Sequence, residues 1–274
     1  MNQPLISVII PAHNSADTIT VAIDSITRQT YKNLEIIVVD DNSIDDTRSV
    51  VENLAKADSR IHYFTLPEDD PERIDPALKR NVNAGYAARN FGFTKAHGEF
   101  ITFQDADDAS LLNRIEVQYD LLTKYNATHI CTTLMPYDTK HIGTTLDNVE
   151  KYLADDTKII KPTEIYSLSQ KTKGFIAKIS PVLNARTPFH IKRKRIINKF
   201  FFGSLAPYPG AGNSPLFKRE VIEKVQFRKL ADRVWPSFMG RGADRDFNFQ
   251  VAETFKNSYV FPVPLYLWSR EISK

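Results

Sequence analysis

Cysteine is nearly missing from this sequence: Cys131 stands alone in 274 residues. That excludes an internal disulfide framework and suits a reducing compartment. The thiol follows an apolar stretch and reads as buried and inert rather than nucleophilic. Long apolar runs are missing too. The longest uncharged stretch, 200–217, holds three prolines and three glycines, which would make a poor bilayer-spanning helix. The opening MNQPLISVII lacks the basic start and extended apolar run of a secretion signal. A soluble cytoplasmic chain is therefore the expectation, in which the Asn126-Ala127-Thr128 sequon would go unused. The net charge of +3 is too small to imply a nucleic-acid partner, and none is expected.

Phosphate-cradling glycines are absent as well. There is no G-x-x-x-x-G-K-[ST], and the first strand-like run leads into Pro11-Ala12-His13-Asn14-Ser15 where a dinucleotide site would carry G-x-G-x-x-G. This argues against a P-loop, a Rossmann dinucleotide site and a nucleotidyltransferase that would need a Gly-rich loop there. Acidic residues are lacking between Glu164 and Glu220, an interval that carries the basic cluster IKRKRIINKFFFG at 191–203. The first half is richer in acids, with PEDDPERID at 67–75, so the two halves face different partners.

What is present is an ordinary globular composition, 42% hydrophobic and 25% charged, which excludes disorder. At this length a sizeable core can be buried. The first half alternates between two periods. LISVII (5–10), LEIIVVDD (34–41), RIHYFTL (60–66), EFITF (99–103) and THICTTL (128–134) read as strands. Between them, 14–29, 44–58, 85–98 and 111–125 read as amphipathic helices, the first with Asn14 or Ser15 available as N-cap. Such alternation means βαβ units around a mostly parallel sheet, in which ligands bind beyond the carboxyl ends of strands. In the second half only 213–225 (strand into helix) and 240–255 (loop into helix) are legible.

Two strand ends carry aspartates. FQDADD places Asp105, Asp107 and Asp108 together, and VVDDNS supplies Asp40 and Asp41. Clustered carboxylates raise one another's pKa unless a cation joins them. Hard oxygen ligands favour Mg²⁺ or Mn²⁺, usually shared with water and substrate phosphate. The competing reading is that Asp108 or Ser110 caps a helix starting near Leu111. For the other pair, an Asx-type turn competes with hydrogen bonding to a nucleotide.

Taken in order, ISVIIPAHN, AIDSITRQTYKNLEIIVVDDNSIDDT, NAGYAARNFGFTKAHGEFITFQDADD, GNSPLFKREVIEKV and GRGADRDF resemble glycosyltransferase family 2, the inverting sugar-nucleotide transferases. The resemblance is close over roughly the first 130 residues and loose from about Gly210 to Phe249. It implies an α/β GT-A (Rossmann-like) fold, with a mixed, mostly parallel central sheet flanked by helices. Residues 1–130 would then form the nucleotide-sugar and metal-binding half, and 131–274 the acceptor half of the same domain. It further implies that Pro11, Ala12 and Asn14 line the nucleotide pocket, that Asp41 bonds the base, usually uracil, and that Arg89 and Asn90 lie beside it. Asp105 and Asp107 would form a D-x-D motif holding Mn²⁺ or Mg²⁺, with Asp107 the direct ligand, and Asp244 would be the general base. Many relatives have an acidic residue just before that aspartate, where this chain has Ala243; Asp246 is the reserve.

The implied activity is metal-dependent, inverting transfer of a sugar, UDP-linked in the favoured case, to a glycan or lipid-linked glycan in surface-polysaccharide synthesis. A catalytically silent nucleotide-sugar or glycan-binding module is the alternative. Asp244 also reads as a helix cap, Trp235 and Trp268 as core or as sugar platforms, and His13 as packing. The basic aromatic segment at 189–203 shows no clean helical stripe. It reads as an acceptor contact, a solvated face, or a peripheral contact with the inner face of the membrane through Lys192, Arg193, Lys194 and Arg195.

Overall fold

The computed structural model describes residues 3–70, 73–75, 80–81, 85–203, 206–235 and 242–269. Its strands are β1 (Ile6–Ala12), β2 (Leu34–Asp40), β3 (Ile61–Thr65), the short pair β4 (Ile74–Asp75) and β5 (Arg80–Asn81), β6 (Phe100–Phe103), β7 (Ala109–Ser110), β8 (His129–Pro136), β9 (Leu216–Lys218) and β10 (Ser258–Trp268). The first helices are α1 (Ile19–Thr27), α2 (Thr47–Ala57), α3 (Tyr86–Lys95) and α4 (Arg114–Lys124). A run of short helices follows: α5 (Val149–Leu153), α6 (Pro162–Thr172), α7 (Phe175–Ile179), α8 (Pro181–Arg186), α9 (Phe189–Lys192) and α10 (Arg195–Phe202). The chain then forms α11 (Glu220–Lys224) and α12 (Ala243–Phe255).

Eight strands make one sheet in the order β3-β2-β1-β6-β9-β8-β10-β7. β1 pairs in parallel with β2 and β6, β2 with β3, and β8 with β10, whereas β9 runs against β6 and β8, and β7 against β10. The expected mixed, mostly parallel sheet flanked by helices is what forms. It runs without a break from residues 1–130 into 131–274.

The central strands are apolar on both faces because both faces are covered. Ile6, Val8 and Ile10 of β1 and Leu34, Ile36 and Val38 of β2 enter one cluster with Ile23 of α1 and Ile115 of α4. Ile9, Ile37 and Val39, one step out of phase, enter the other with Phe93 of α3 and Phe247 of α12. Alternation along the pleat thus sorts consecutive apolar residues into two cores.

Four details differ from the sequence reading. α1 begins at Ile19 after Thr18, so neither Asn14 nor Ser15 caps it. Asn14 instead takes φ 50° and accepts a hydrogen bond from Ile44 N at 2.9 Å. α4 begins at Arg114 after Asn113, which removes Asp108 and Ser110 as caps. Ser110 is buried in β7 and donates to Gln104 Oε1 at 2.7 Å. β10 escaped notice because Pro262 and Pro264 interrupt it; its pairing with β8 shifts register on either side of Pro264, as a strand must where an N–H is missing. Finally, 149–202 is a cluster of helices rather than an irregular segment.

α3 lies close on β1. A Cβ placed at Gly92 would approach Ile9 Cγ2 to 2.5 Å, so a helical glycine is retained where its propensity is poor. Gly92→Ala should destabilise the fold by about 1–3 kcal/mol through overpacking, measured as a lower midpoint of chemical unfolding with an unchanged m-value.

Candidate active site

β1 and β2 end level with one another, and β6, on the other side of β1, ends three residues earlier, Phe103 opposite Ile9. Ala12 sits opposite Asp40, Asp41 N donates to Ala12 O at 2.8 Å, and Gln104 N donates to Ile9 O at 3.1 Å. Because β1 is central, the turn after it opens between Asp41 on one side and Asp105 on the other. A cleft of about 800 Å³ fills this position. Pro11, Ala12, His13, Asn14, Asp41, Arg89, Asp105, Asp107, Asp108 and Asp244 line it, together with Leu134, Pro207, Tyr208, Asn213, Arg245 and Trp268 from the second half.

Asp40 and Asp41 divide two tasks that the sequence left open. Asp40 is buried, accepts from Ser43 N at 3.0 Å and from Tyr63 Oη at 2.6 Å, and so makes the turn. Asp41 faces the cleft and is paired with Arg73 through Nε–Oδ2 and Nη2–Oδ1 contacts, each 3.0 Å. Burial raises the Asp41 carboxyl above the ordinary range; the charges of Arg73 and His13 oppose the shift. His13, read as packing, lines the cleft instead, its Nδ1 2.6 Å from Asp41 O. Arg73 was missed, although it is the only cation within the acidic 67–75 stretch.

Asp105, Asp107 and Asp108 each bring a carboxylate oxygen within 4.8 Å of the others. Asp105 accepts from Arg89 Nη2 at 2.5 Å and from Asn213 Nδ2 at 3.0 Å, and its own amide donates to Tyr266 Oη at 3.1 Å. Asp107 is the exposed member. Asp108 is buried, accepts from Ser269 N at 2.6 Å and from Asn213 Nδ2 at 3.3 Å, and is pushed up to about 8 by burial and then by the charges of Asp105 and Asp107. An all-oxygen set with this much like-charge repulsion fits a hard divalent cation.

Asp244 lies in the first turn of α12, after Gly242 at φ 103°. Among the described residues its Oδ1 accepts no hydrogen bond, and Arg89 Nη2 is 3.9 Å away. Burial, the larger influence, and the charge of Asp105 raise the Asp244 carboxyl, while Arg89 and Arg233 oppose this. Asn248, one turn later, donates to Asp244 O at 2.6 Å and to Gly212 O at 2.8 Å. Its Oδ1 accepts from His129 Nε2 at 2.7 Å; burial pulls that imidazole down to about 4, so it is neutral. One amide thus ties the start of α12, the loop before β9, and β8. Nothing in a lone asparagine at i+4 signals this.

Three expected site residues stand elsewhere. Asn90 is not in the cleft: its amide brackets the backbone of Phe227, donating to the carbonyl at 2.8 Å and accepting from the amide at 2.9 Å. Asp246, the reserve base, is 1% exposed, pairs with Arg228 at 2.8 Å and accepts from Val234 N and Trp235 N. It is a structural acid, held by Arg228 and two backbone amides, and it does not line the cleft. Lys192 is buried and donates to Ala231 O, so it does not belong to an exposed basic patch. Trp235 is core, its Nε1 donating to Ser169 O, whereas Trp268 reaches the cleft edge. Cys131 is buried, and burial pushes its thiol up, as expected for an inert one. Ala243, where the family resemblance led to the expectation of an acid, belongs to the apolar cluster of Tyr86, Ala88 and Phe247, an environment hostile to a charge.

The cleft thus sets the acidic strand ends of an open α/β sheet against a carboxylate carried on a helix. The glycosyl transferase family 2 profile matches residues 7–73 and 76–183, and the chain belongs to that family. It is 45% identical over 109 residues to the GalNAc(5)-diNAcBac-PP-undecaprenol beta-1,3-glucosyltransferase of Campylobacter jejuni, covering 40% of this chain and 31% of that one. Over 126 residues it is 36% identical to the UDP-Glc:alpha-D-GlcNAc-diphosphoundecaprenol beta-1,3-glucosyltransferase WfgD of Escherichia coli, covering 46% of this chain and 44% of the other. The alignments span roughly a third to less than half of those two proteins. Among solved structures, Staphylococcus aureus TarS 1–349 superposes with a TM-score of 0.57 at 16% identity, covering 96% of this chain and 60% of that one. The mannosyltransferase PcManGT of Pyrobaculum calidifontis, in complex with GDP-Man and Mn²⁺, gives 0.52 at 18% identity, covering 96% of this chain and 55% of that one. At these identities the likeness establishes the GT-A fold.

The two acids of α12 should separate cleanly by mutation. Asp246→Ala leaves Arg228 and two amides without their acceptor and should cost about 3–5 kcal/mol of unfolding free energy. Asp244→Ala breaks no hydrogen bond made by Oδ1 and should change stability by less than about 1 kcal/mol while abolishing turnover.

Proposed function

We propose that this chain catalyses inverting transfer of a sugar from a nucleotide-sugar, UDP-linked in the favoured case, to a lipid-linked glycan in surface-polysaccharide synthesis. The observation that carries the reading is the single cleft in which Asp41, the Asp105–Asp107–Asp108 cluster and Asp244 face one another. Residues 1–130 supply the donor side and 131–274 the acceptor side. Relatives that use undecaprenol-linked acceptors support the acceptor class and a site of action at the inner face of the membrane.

On this reading Pro11, Ala12 and Asn14 flank the nucleoside, and Asp41 accepts from the base. The Asp41–Arg73 pair gives that side of the cleft both an acceptor and a donor. Asp107 and Asp105 would hold Mn²⁺ or Mg²⁺, and the cation would supply positive charge for the donor diphosphate. Arg89 keeps Asp105 fixed, and Asn213 holds Asp105 and Asp108 in register. Asp244, with a free oxygen and a raised pKa, takes the proton of the acceptor hydroxyl as that oxygen attacks the anomeric carbon opposite the leaving group. Leu134, Tyr208 and Trp268 form the apolar edge on which an acceptor sugar can lie.

Thermal unfolding with UDP-, GDP-, dTDP- and CMP-sugars, each with and without Mn²⁺, tests the donor site. A UDP-sugar at a hundred times its dissociation constant should stabilise the fold by about 2.7 kcal/mol, require metal, and lose the effect in Asp107→Ala. No response to any of the sugars would remove the reading.

The pH profile tests the base. Asp244 works ionised, so kcat should fall as pH drops through a carboxyl titration placed above the usual range. Asp244→Asn should lower kcat by about 10²–10⁴-fold while leaving the metal-dependent stabilisation by donor intact. The same deletion of activity together with loss of donor binding would assign Asp244 to binding instead. Release of nucleoside diphosphate on incubation with donor and a lipid-linked acceptor separates an enzyme from a silent binding module.

A further inference from the structure

The helices from α7 to α10 carry an outward surface that the cleft does not use. Phe175 and Ile179 of α7, Val182 and Leu183 of α8, and Ile196 and Phe200 of α10 are each more than half exposed. Phe175/Ile179 and Ile196/Phe200 are i, i+4 pairs, so each lies on one helix face. α7 packs against both α8 and α10, and the backbones of Gly174 and Phe201 meet so closely that a Cβ on Gly174 would overlap the Phe201 carbonyl. Six large apolar side chains therefore crowd one small helical cluster, where soluble surfaces usually scatter them.

Charge singles out the occupant. Between Glu164 and Glu220 the sequence holds eleven lysines and arginines and no aspartate or glutamate. Lys178, Arg186, Lys194, Arg195 and Lys199 are exposed on these same helices, and none forms an ion pair among the described residues. Apolar side chains protruding between unneutralised cations complement an anionic lipid surface, where the former enter the acyl boundary and the latter meet headgroups. No helix among the described residues is long and apolar enough to cross a membrane, so the contact lies in the interface plane.

We infer that the face formed by Phe175, Ile179, Val182, Leu183, Ile196 and Phe200 docks on an anionic bilayer. This deepens the lipid-linked-acceptor reading and rests on it for its purpose. It keeps Lys194 and Arg195 of the contact foreseen at 192–195 and drops Lys192, which is buried and donates to Ala231 O. Only five residues lie between Phe202, the end of α10, and Tyr208 at the cleft, at most about 20 Å of chain. A docked enzyme therefore keeps its acceptor side near the headgroups.

The test is co-sedimentation of the full chain with phosphatidylglycerol-containing vesicles and with pure phosphatidylcholine vesicles. Binding should be at least about tenfold stronger to the anionic ones and weaken with salt. I196D/F200D and, separately, K194E/R195E/K199E should each lower anionic-vesicle binding about tenfold or more, with unchanged thermal midpoint and unchanged metal-dependent stabilisation by UDP-sugar. Equal binding to both vesicle types, or full binding by both variants, overturns the inference. So does a concentration-dependent dimer of the parent chain that I196D/F200D abolishes without any loss of vesicle binding, which would assign the face to a second copy. Donor stabilisation is read in the absence of lipid, so failure of docking and failure of the transferase reading are distinguishable.

Discussion

The arrangement depends on one buried cation. Arg89 is 3% exposed, and its guanidinium lies 5.6 Å from the Phe103 ring and 5.5 Å from the Phe227 ring, touching Asp105 and facing Asp244. Two half-buried carboxylates from distant parts of the chain can share one corner of the cleft because this charge stands between them. The aromatic walls hold a planar cation without satisfying it, so its hydrogen bonds remain for the acids. The positioning begins further out. Gly85, at φ 68°, lets α3 start against Pro11, and Asn90, the residue after Arg89, fixes the backbone of Phe227 and hence one wall. β1, α3, β6 and α12 are brought into mutual register through a single side chain.

Acidic residues close in sequence divide their work according to local geometry. Asp40 and Asp41 are neighbours at a strand end, so one turns inward to Ser43 and Tyr63 while the other meets Arg73 at the cleft. Asp244 and Asp246, two apart on a helix, point in widely different directions; the first looks into the cleft, the second into a cage of Arg228 and two amides. Composition alone ranks these pairs as equals.

That difference marks where sequence was legible. Five of the strands, β1, β2, β3, β6 and β8, and the four helices of the first half could be read because buried parallel strands and amphipathic helices imprint periods of two and 3.6. That Asp41, Asp105 and Asp107 line the cleft could be read because sites in such sheets form at strand ends and the family resemblance marks these three positions. Arg73, Asn213, Asn248 and Tyr266 could not, since each acquires its role only when a distant segment arrives: Tyr266 lies 161 residues from the amide that it meets. Asn90 was misplaced because adjacency to Arg89 in sequence says nothing of direction on a helix. β10 was hidden by its prolines, and the helices of 149–202 other than α6 by their brevity, four to eight residues each, too short to establish a period.

The three residues of β9 have a consequence beyond pairing. This reversed strand is the sheet's joint: on one side it bonds β6, which delivers the D-x-D acids, and on the other β8, which with β10 supports the opposite wall. Immediately before it, Asn213 and the Gly212 carbonyl grip one wall each. The joint therefore sets the spacing between the two walls: a displacement of these three residues would carry the contacts of Asp105 and of the start of α12 with it.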